Sequence, residues 1–410
     1  MRYGRLAGRP AGQGKARDPA ADPAAGAADA STAAADAAAA GAAGPPGADP
    51  SAAGASGVTT TAALPRVRPG RALAIAAVAL AAALLTGVSV GPAGLSPQMV
   101  IEALATRLPW HPALSVPGVD TAIVWQIRLP QVILAALVGA MLAGAGAAYQ
   151  GVFRNPLADP YLLGVAAGGG LGATLAIVAG TGSGLVQPAA FAGAAVAVAL
   201  TYMLGSGAGR GGESPGTGGA TASIVLAGVA VAAMLTAIQT YLLQQHSQEL
   251  QQVYSWILGD LSLASWSQVA LILPYAAVAA GVLLAHRRLL DVLRVGEEET
   301  ASLGVDVARL RLTIVLAATL GTAAAVSVSG LIGFVGIIVP HTVRLAAGAS
   351  YRTVLPVSML GGAAFLVLAN VAAQTVQAPG VVPIGVITAI AGGPFFLFVL
   401  RSRRARRELA

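Results

Sequence analysis

From Arg71 onward the chain alternates long apolar runs with short polar breaks. Each run is about 17–25 residues long, and a helix of that length can cross the roughly 30 Å hydrocarbon layer of a membrane. The eighth run is short and is broken by Pro340 and His341. The pattern predicts ten membrane-spanning helices, near residues 72–90, 122–149, 161–180, 187–206, 222–244, 266–285, 309–328, 331–347, 353–373 and 383–400.

Composition and charge agree with this reading and orient the chain. The sequence is 56% hydrophobic and only 10% charged, with a mean hydropathy of +0.74, whereas soluble domains carry about 25% charged residues. The sequence therefore predicts an all-α polytopic membrane protein. With ten spans both termini share one side, which the arginines of 401–407 make cytoplasmic because basic residues favour that face. Only Arg107 and Arg128 then fall outside.

Several classes of chemistry are excluded by the residues that the sequence lacks. It has no cysteine, and its four histidines show no metal-ligand spacing, so no metal site and no catalytic residue is predicted. The single lysine, Lys15, lies in the N-terminal tail, which leaves no P-loop for nucleotide hydrolysis. No Asp or Glu lies in the apolar core of a predicted span, which disfavours an ion-coupled carrier or an acidic-ring cation channel.

The organisation follows from these patterns. Residues 1–70 are a low-complexity tail rich in Ala, Gly and Pro, which we expect to be disordered and cytoplasmic. Residues 71–401 form the ten-helix membrane domain, and residues 402–410 form a basic cytoplasmic tail.

Three polar interruptions are candidates for function. Phe153–Tyr161 carries two prolines that end helices on both sides, although it also suits an ordinary connector. The segment 286–311 places three glutamates where a short helix would begin and Gly304 where it would end, although it also suits a solvated loop. Gly330–Arg344 has glycines at a spacing of three and then Pro340-His341, which indicates a short or bent helix.

Together these residues resemble the membrane permeases of iron-siderophore, haem and cobalamin uptake, the FecCD/BtuC-like permeases of binding-protein-dependent ABC importers. The resemblance runs from about Val124 to Leu400. Its motifs, in order, are Trp125-Gln-Ile-Arg-Leu-Pro130, Tyr149-Gln-Gly-Val-Phe-Arg-Asn-Pro-Leu-Ala-Asp-Pro160, Leu162-Leu-Gly-Val165, Leu226-Ala-Gly-Val229, Trp256-Ile-Leu-Gly259, Leu303-Gly-Val305, Gly330-Leu-Ile-Gly-Phe-Val-Gly336, Val339-Pro-His341 and Pro383-Ile-Gly-Val-Ile-Thr388.

The resemblance implies a type II ABC importer permease fold with ten transmembrane helices per subunit, in the bacterial cytoplasmic (inner) membrane. It implies a homodimer that binds two copies of a cytoplasmic P-loop ATPase and one extracytoplasmic substrate-binding protein. The ATPase would hold ATP and Mg, and this chain would hold no cofactor. Besides these proteins, its only predicted partner is membrane lipid, and no nucleic acid is expected.

The resemblance also assigns roles to residues. Coupling helices at about 286–308 would dock on the ATPase through Gly296, Glu297, Leu303 and Gly304. A cytoplasmic gate would comprise Asn155, Pro156, Leu157, Thr221 and Ala222, and Ala227 and Gly228 would line the pathway. Arg128 would dock the binding protein, although Gln131 and Gln374 replace charged residues that are common in the family.

The leading hypothesis is ATP-driven import of an iron-siderophore complex, with cobalamin or haem as alternative cargoes of the same mechanism. An ion-coupled secondary carrier and a non-transporting membrane scaffold are the hypotheses from other classes.

Overall fold

A computed structural model of the protein describes residues 67–91, 96–106, 118–207 and 219–401. Within these ranges the chain forms helices joined by turns, with no strand. The helices are α1 (Pro69–Ser89), α2 (Pro97–Ala105), α3 (Gly118–Val152), α4 (Val165–Val178), α5 (Ser183–Gly207), α6 (Gly219–Gln245), α7 (Leu250–Ile257), α8 (Trp266–Leu293), α9 (Glu297–Ser302), α10 (Val307–Ser329), α11 (Val335–Ala347), α12 (Tyr351–Thr375) and α13 (Ile384–Arg401).

The ten predicted spans correspond to ten of these helices. Seven are long and apolar enough to cross a membrane, namely α1, α3, α5, α6, α8, α10 and α12. The other three, α4, α11 and α13, are apolar but shorter. The prediction of an all-α polytopic membrane protein is confirmed. The expectations for the two tails concern residues 1–66 and 402–410, which lie outside the described ranges, as does Arg107.

Two of the short helices begin later than the hydrophobic pattern predicts. The third span was expected from residue 161, but α4 begins at Val165 after Gly164, whose φ is +82°. The eighth was expected from residue 331, but α11 begins at Val335 after Phe334, which has a φ of +69°. In both places apolar residues occupy a non-helical segment, and hydropathy alone does not separate such residues from helix.

The centre of the bundle is formed by α3 and α10. In each, 78% of the most apolar stretch is buried inside the protein, against 28% in α1, α6 and α8. Glycines let α3 approach its neighbours closely. A Cβ atom on Gly139 would lie 2.2 Å from the carbonyl oxygen of Gly362 in α12, and one on Gly146 would lie 2.0 Å from that of Gly336 in α11. Small residues at such crossings give membrane helices their van der Waals contact.

One end of the bundle is basic. The ends of α3, α8, α11 and α13 meet the beginnings of α1, α10 and α12 there. Three contacts indicate this: the Val67 amide donates to the carbonyl oxygen of Ala346, Arg154 pairs with Glu297, and Arg294 donates to the carbonyl oxygen of Ala349. We call this the basic end. It carries every described arginine except Arg128, namely Arg68, Arg71, Arg154, Arg287, Arg288, Arg294, Arg309, Arg311, Arg344, Arg352 and Arg401.

Candidate functional site: the 153–164 turn and helix α9

The 153–164 turn joins α3 to α4 at the basic end, and two similar hydrogen bonds shape it. The Asn155 Oδ1 atom accepts from the amide of Leu157 at 2.9 Å, and the Asp159 Oδ1 atom accepts from the amide of Tyr161 at 2.7 Å. Each acceptor precedes a proline, so the same local unit, an Asx turn with a fixed proline φ, occurs twice. The turn therefore has a defined backbone and is not an unstructured connector.

The predicted gate residues are accessible in this structure. Asn155 is exposed, Pro156 is half-buried, and the side chain of Leu157 is 39% exposed. At the second predicted gate position, Thr221 and Ala222 lie in the first turn of α6, and Ala222 is exposed. The closing of a pathway by these two groups stays a prediction.

The predicted pathway residues on α6 have different surroundings. A Cβ atom on Gly228 would lie 2.3 Å from the carbonyl oxygen of Leu162, so Gly228 is a packing position against the 153–164 turn. Ala227 is half-buried, while Leu226 and Val229 beside it are 71% and 56% exposed. Leu226 and Val229 belong to a motif of the resemblance but were given no role, and they form the exposed face of α6 beside Ala227.

Helix α9 projects from the basic end but is anchored at its base. Thr300 is buried, and its hydroxyl donates to the carbonyl oxygens of Gly296 and, at 3.2 Å, of Val292. Leu303, by contrast, is 69% exposed. Gly304 follows with a φ of +79°, the left-handed conformation that ends a helix. The short helix expected in 286–308 is present, with its apolar tip at the surface.

Glu297, the first residue of α9, connects three elements. Its Oε1 atom accepts a hydrogen bond from Arg311 in α10 and lies 3.6 Å from the Nη2 atom of Arg154 in the 153–164 turn. Arg154 has a φ of +48°, which is uncommon for a residue with a side chain. A single carboxylate thus links the exposed helix to the turn that holds the predicted gate residues. Sequence reasoning missed Arg154 and Arg311, because nothing local distinguishes them from other arginines of this face.

Asp159 is half-buried within the turn. Burial raises the pKa of Asp159 to about 6, and the hydrogen bond from the Tyr161 amide acts in the opposite direction. Burial disfavours the charged carboxylate, and this effect on the pKa of Asp159 is larger than that of the hydrogen bond.

The turn also reaches the segment that precedes α11. The Tyr161 hydroxyl donates to the carbonyl oxygen of Ile332 and accepts from its amide, each at 3.0 Å. Gln150, at the end of α3, donates to the carbonyl oxygens of Ala158 and Gly336, at 3.2 and 3.0 Å. Gln150 belongs to the motif that begins at Tyr149, but the sequence analysis gave it no role.

Arg128, the predicted docking residue, is 5% exposed. It donates to the Oε1 atom of Gln374 at 2.6 Å and to the carbonyl oxygen of Val90 at 3.3 Å. Gln131 donates to the carbonyl oxygen of Leu261 at 3.0 Å. Gln131 and Gln374 therefore serve internal hydrogen bonds. For Arg128 to meet another protein directly, its side chain would have to leave these acceptors.

His111 lies outside the described ranges, and the three histidines within them are placed singly. His246 and His286 each set Nδ1 near the carbonyl oxygen four residues earlier, at 3.0 and 2.8 Å. His341 packs edge-on against Phe395. In the described part of the chain, no three His, Cys, Asp or Glu residues are grouped so that they could hold a metal ion.

Ten apolar helices, a shaped turn at their basic end and an anchored helix projecting beside it define a multi-pass membrane protein. Its relatives agree. The chain is 42% identical over 341 residues to the cobalamin import system permease protein BtuC of Halobacterium salinarum, covering 80% of this chain and 89% of that protein. It is 36% identical over 359 residues to the hemin transport system permease protein HmuU of Yersinia pestis, covering 84% and 99%.

A solved structure is similar across the same region. It is described as an inward-facing metal-chelate type ABC transporter, and it matches with a TM-score of 0.70 at 26% identity, covering 81% of this chain and 100% of that one. The model of the FecCD transport family matches residues 79–402. The chain belongs to the FecCD transport family, and it is a permease subunit of the ABC importer class with the fold that the sequence predicts.

Proposed function

We propose that this chain forms the translocation pathway for an iron-siderophore complex, with import driven by ATP hydrolysis on a separate subunit. The observation that carries the proposal is the match to the FecCD transport family over residues 79–402. Among the relatives is the Fe(3+)-citrate import system permease protein YfmD of Bacillus subtilis, 36% identical over 325 residues, covering 77% of this chain and 90% of that protein. The name of this relative gives an iron chelate as its cargo.

The contacts of α9 support a coupling role. Leu303 and the exposed glutamates Glu298 and Glu299 form a surface that another protein can grip, while Thr300 and Glu297 fix the helix to the bundle. A displacement of α9 is transmitted to the 153–164 turn through Glu297 and Arg154. Movement imposed by an ATPase at α9 can therefore open or close a gate made by Asn155, Pro156 and Leu157 with Thr221 and Ala222.

The assembly that this function requires is a homodimer of this chain with two ATPase subunits and one extracytoplasmic binding protein. The basic end is then the cytoplasmic face of a bacterial inner membrane, because arginine-rich segments favour that side. Both termini of the chain lie on that face. ATP and Mg belong to the ATPase, while this chain supplies the pathway, the gate and the docking surface.

Cobalamin is the second candidate cargo. The observation in its favour is the 42% identity to the cobalamin permease of Halobacterium salinarum, against 36% for the hemin and ferric-citrate permeases. The mechanism is unchanged with this cargo, because the same α9, turn and α6 would act on it.

Reconstitution tests both the mechanism and the cargo. The chain is co-expressed with a candidate ATPase and a candidate binding protein from the same genome, and the complex is placed in proteoliposomes with labelled ferric siderophore, cobalamin or hemin. We expect ATP-dependent accumulation of the ferric siderophore. Accumulation of cobalamin or hemin alone would identify that molecule as the cargo and would leave the proposed ATP-driven mechanism unchanged. Uptake driven by a proton or sodium gradient without the ATPase would instead establish a secondary carrier.

A Gly304→Pro variant tests the coupling surface. Proline fixes φ near −65° and cannot adopt the +79° that Gly304 has, so the end of α9 is rebuilt and ATPase co-purification is lost. Gly180→Pro is the matched control, since Gly180 also has a positive φ, +63°, and open space around it, but lies away from the basic end. Normal ATPase recovery with Gly304→Pro would refute the role of α9.

A further inference from the structure

A cavity at the basic end has a positively charged wall. It measures about 410 Å³ and lies where the 153–164 turn and the ends of α3, α8 and α11 meet the beginning of α12. None of its lining residues is acidic. The lining residues that matter chemically are Gln150, Arg154, Arg294, His341, Arg344 and Tyr351.

Arg344 is held in place by neutral groups. It donates to the Gln150 Oε1 atom and, at 3.3 Å, to the Tyr351 hydroxyl, and its guanidinium carbon lies 5.7 Å from the centre of the Tyr351 ring. The Gln150 amide nitrogen donates to two carbonyl oxygens, so its Oε1 atom must be the end that faces Arg344. The guanidinium is therefore oriented in advance, and its charge is not neutralised by these partners.

Arg294 has the same kind of support. Its Nη1 atom donates to the carbonyl oxygen of Ala349 at 2.9 Å. The two carboxylates nearby are engaged elsewhere. Asp291 accepts from the Tyr351 amide at 2.6 Å and the Ser350 hydroxyl at 2.7 Å, and Glu297 is shared by Arg311 and Arg154. Among the residues that the structure describes, no carboxylate lies within 4.0 Å of the Arg294 or Arg344 guanidinium.

We propose that this cavity binds a phosphate group. Guanidinium groups fixed in a fork geometry match the oxygens of phosphate, and such charge-assisted hydrogen bonds are the strong ones. The cavity lies within the usual size range of small-ligand sites, about 300–1,000 Å³, so it admits a phosphate ester as well as the bare ion. The phosphate can come from an anionic lipid headgroup or from solution, and both sources meet the same arginines. Pro156 of the predicted gate also lines the cavity, so the site adjoins that gate, and the proposal does not depend on which cargo is carried.

The experiment measures both sources on the full chain purified in neutral detergent. Native mass spectrometry compares the retention of phosphatidylglycerol with that of phosphatidylcholine, and calorimetry measures the binding of inorganic phosphate. The test variant is Arg294→Gln with Arg344→Gln. The control, Arg287→Gln with Arg288→Gln, removes the same charge from the end of α8 without touching the cavity wall.

We expect one tightly held phosphate group per chain, weakened at least about tenfold in the test variant and unchanged in the control, because each lost charge-assisted bond is worth about tenfold or more. Selective retention of phosphatidylglycerol identifies the lipid as the source, whereas a calorimetric signal with phosphate alone identifies the soluble ion. Arg294→Gln alone leaves the Arg344–Gln150–Tyr351 contacts in place and is expected to weaken binding severalfold at an unchanged melting temperature.

Three results would overturn the proposal. Equal weakening in the control would show that the charge of the whole face attracts anions without a site. No binding by the unaltered chain in either arm would exclude the site. Binding of the phosphate group by the test variant as tightly as by the unaltered chain would show that Arg294 and Arg344 do not hold it.

Discussion

Asp159 is the residue in the 153–164 turn whose ionisation matters most. Its pKa of about 6 lies above the ordinary value of 3.8. A group whose pKa is raised by folding stabilises the folded state below its unfolded pKa, and this contribution is lost as pH rises through the folded pKa. The folded protein is therefore expected to lose stability between about pH 4 and pH 7 through this one carboxyl group.

Asp159→Asn should remove this pH dependence while keeping the acceptor that the Tyr161 amide requires. We expect the variant to be more stable than the parent above pH 7, by about 2–3 kcal/mol, and to match it near pH 4. Thermal unfolding in detergent from pH 4 to pH 8 measures the difference. Asp260→Asn is the control, because Asp260 accepts an equivalent bond from the Ser262 amide at an exposed position. Equal shifts in the two variants would contradict the prediction.

At the scale of elements, the pair formed by Arg154 and Glu297 links α9 to the 153–164 turn. The Arg154 side chain is 40% exposed, and exposed ion pairs contribute about 0–1 kcal/mol to stability. The pair therefore matters little for folding. Its importance lies in its position, since it joins a surface helix to the predicted gate.

Arg154→Glu places like charges on the two sides of this contact. We expect transport to fall about fivefold to tenfold, which corresponds to roughly 1–1.4 kcal/mol of coupling, while ATPase co-purification and ATP hydrolysis stay within twofold. The assay compares transported cargo per ATP hydrolysed in proteoliposomes. Arg309→Glu is the control, because Arg309 pairs with Asp306 at 3.0 Å on the same face but is 88% exposed and does not contact the turn. Unchanged transport with Arg154→Glu would show that α9 acts on the gate by another route.

The sequence predicts elements better than it predicts the contacts between them. Runs of apolar residues long enough to span a membrane are a local property, so the ten helices could be recognised from the sequence. The late starts of α4 and α11 could not, because Tyr161 binds Ile332, 171 residues away, and this contact keeps apolar residues out of a helix. The same holds for Glu297, whose partners Arg154 and Arg311 come together only in the folded chain.

At the scale of the whole molecule, close glycine contacts around α3 hold the bundle together. Gly146→Ala would put a methyl group 2.0 Å from the Gly336 carbonyl oxygen, and backbone on both sides cannot yield as a side chain can. Alanine otherwise favours a helix over glycine by about 0.5–1 kcal/mol. We expect a net destabilisation of about 2 kcal/mol, seen as a lower melting temperature and a smaller monodisperse yield in detergent.

Gly281→Ala in α8 provides the opposite expectation. Nothing lies within 4 Å of the position that its Cβ would occupy, so only the gain in helix propensity applies. Its melting temperature should be equal to or slightly above that of the parent. If the melting temperatures of Gly146→Ala and Gly281→Ala shift in the same direction, the close contact between α3 and α11 does not account for the stability of the bundle.

The shortness of α11 has a consequence for the barrier between the two sides of the membrane. At 13 residues, α11 is about 20 Å long, whereas the 23-residue α10 is about 35 Å long. Both reach the basic end, so residues 330–334 must bridge the difference of about 15 Å without a helix. Irregular backbone at such depth is tolerated only inside protein or beside water. The phenol of Tyr161 satisfies both backbone groups of Ile332, so the protein itself supplies hydrogen bonds that this non-helical segment would otherwise need from water.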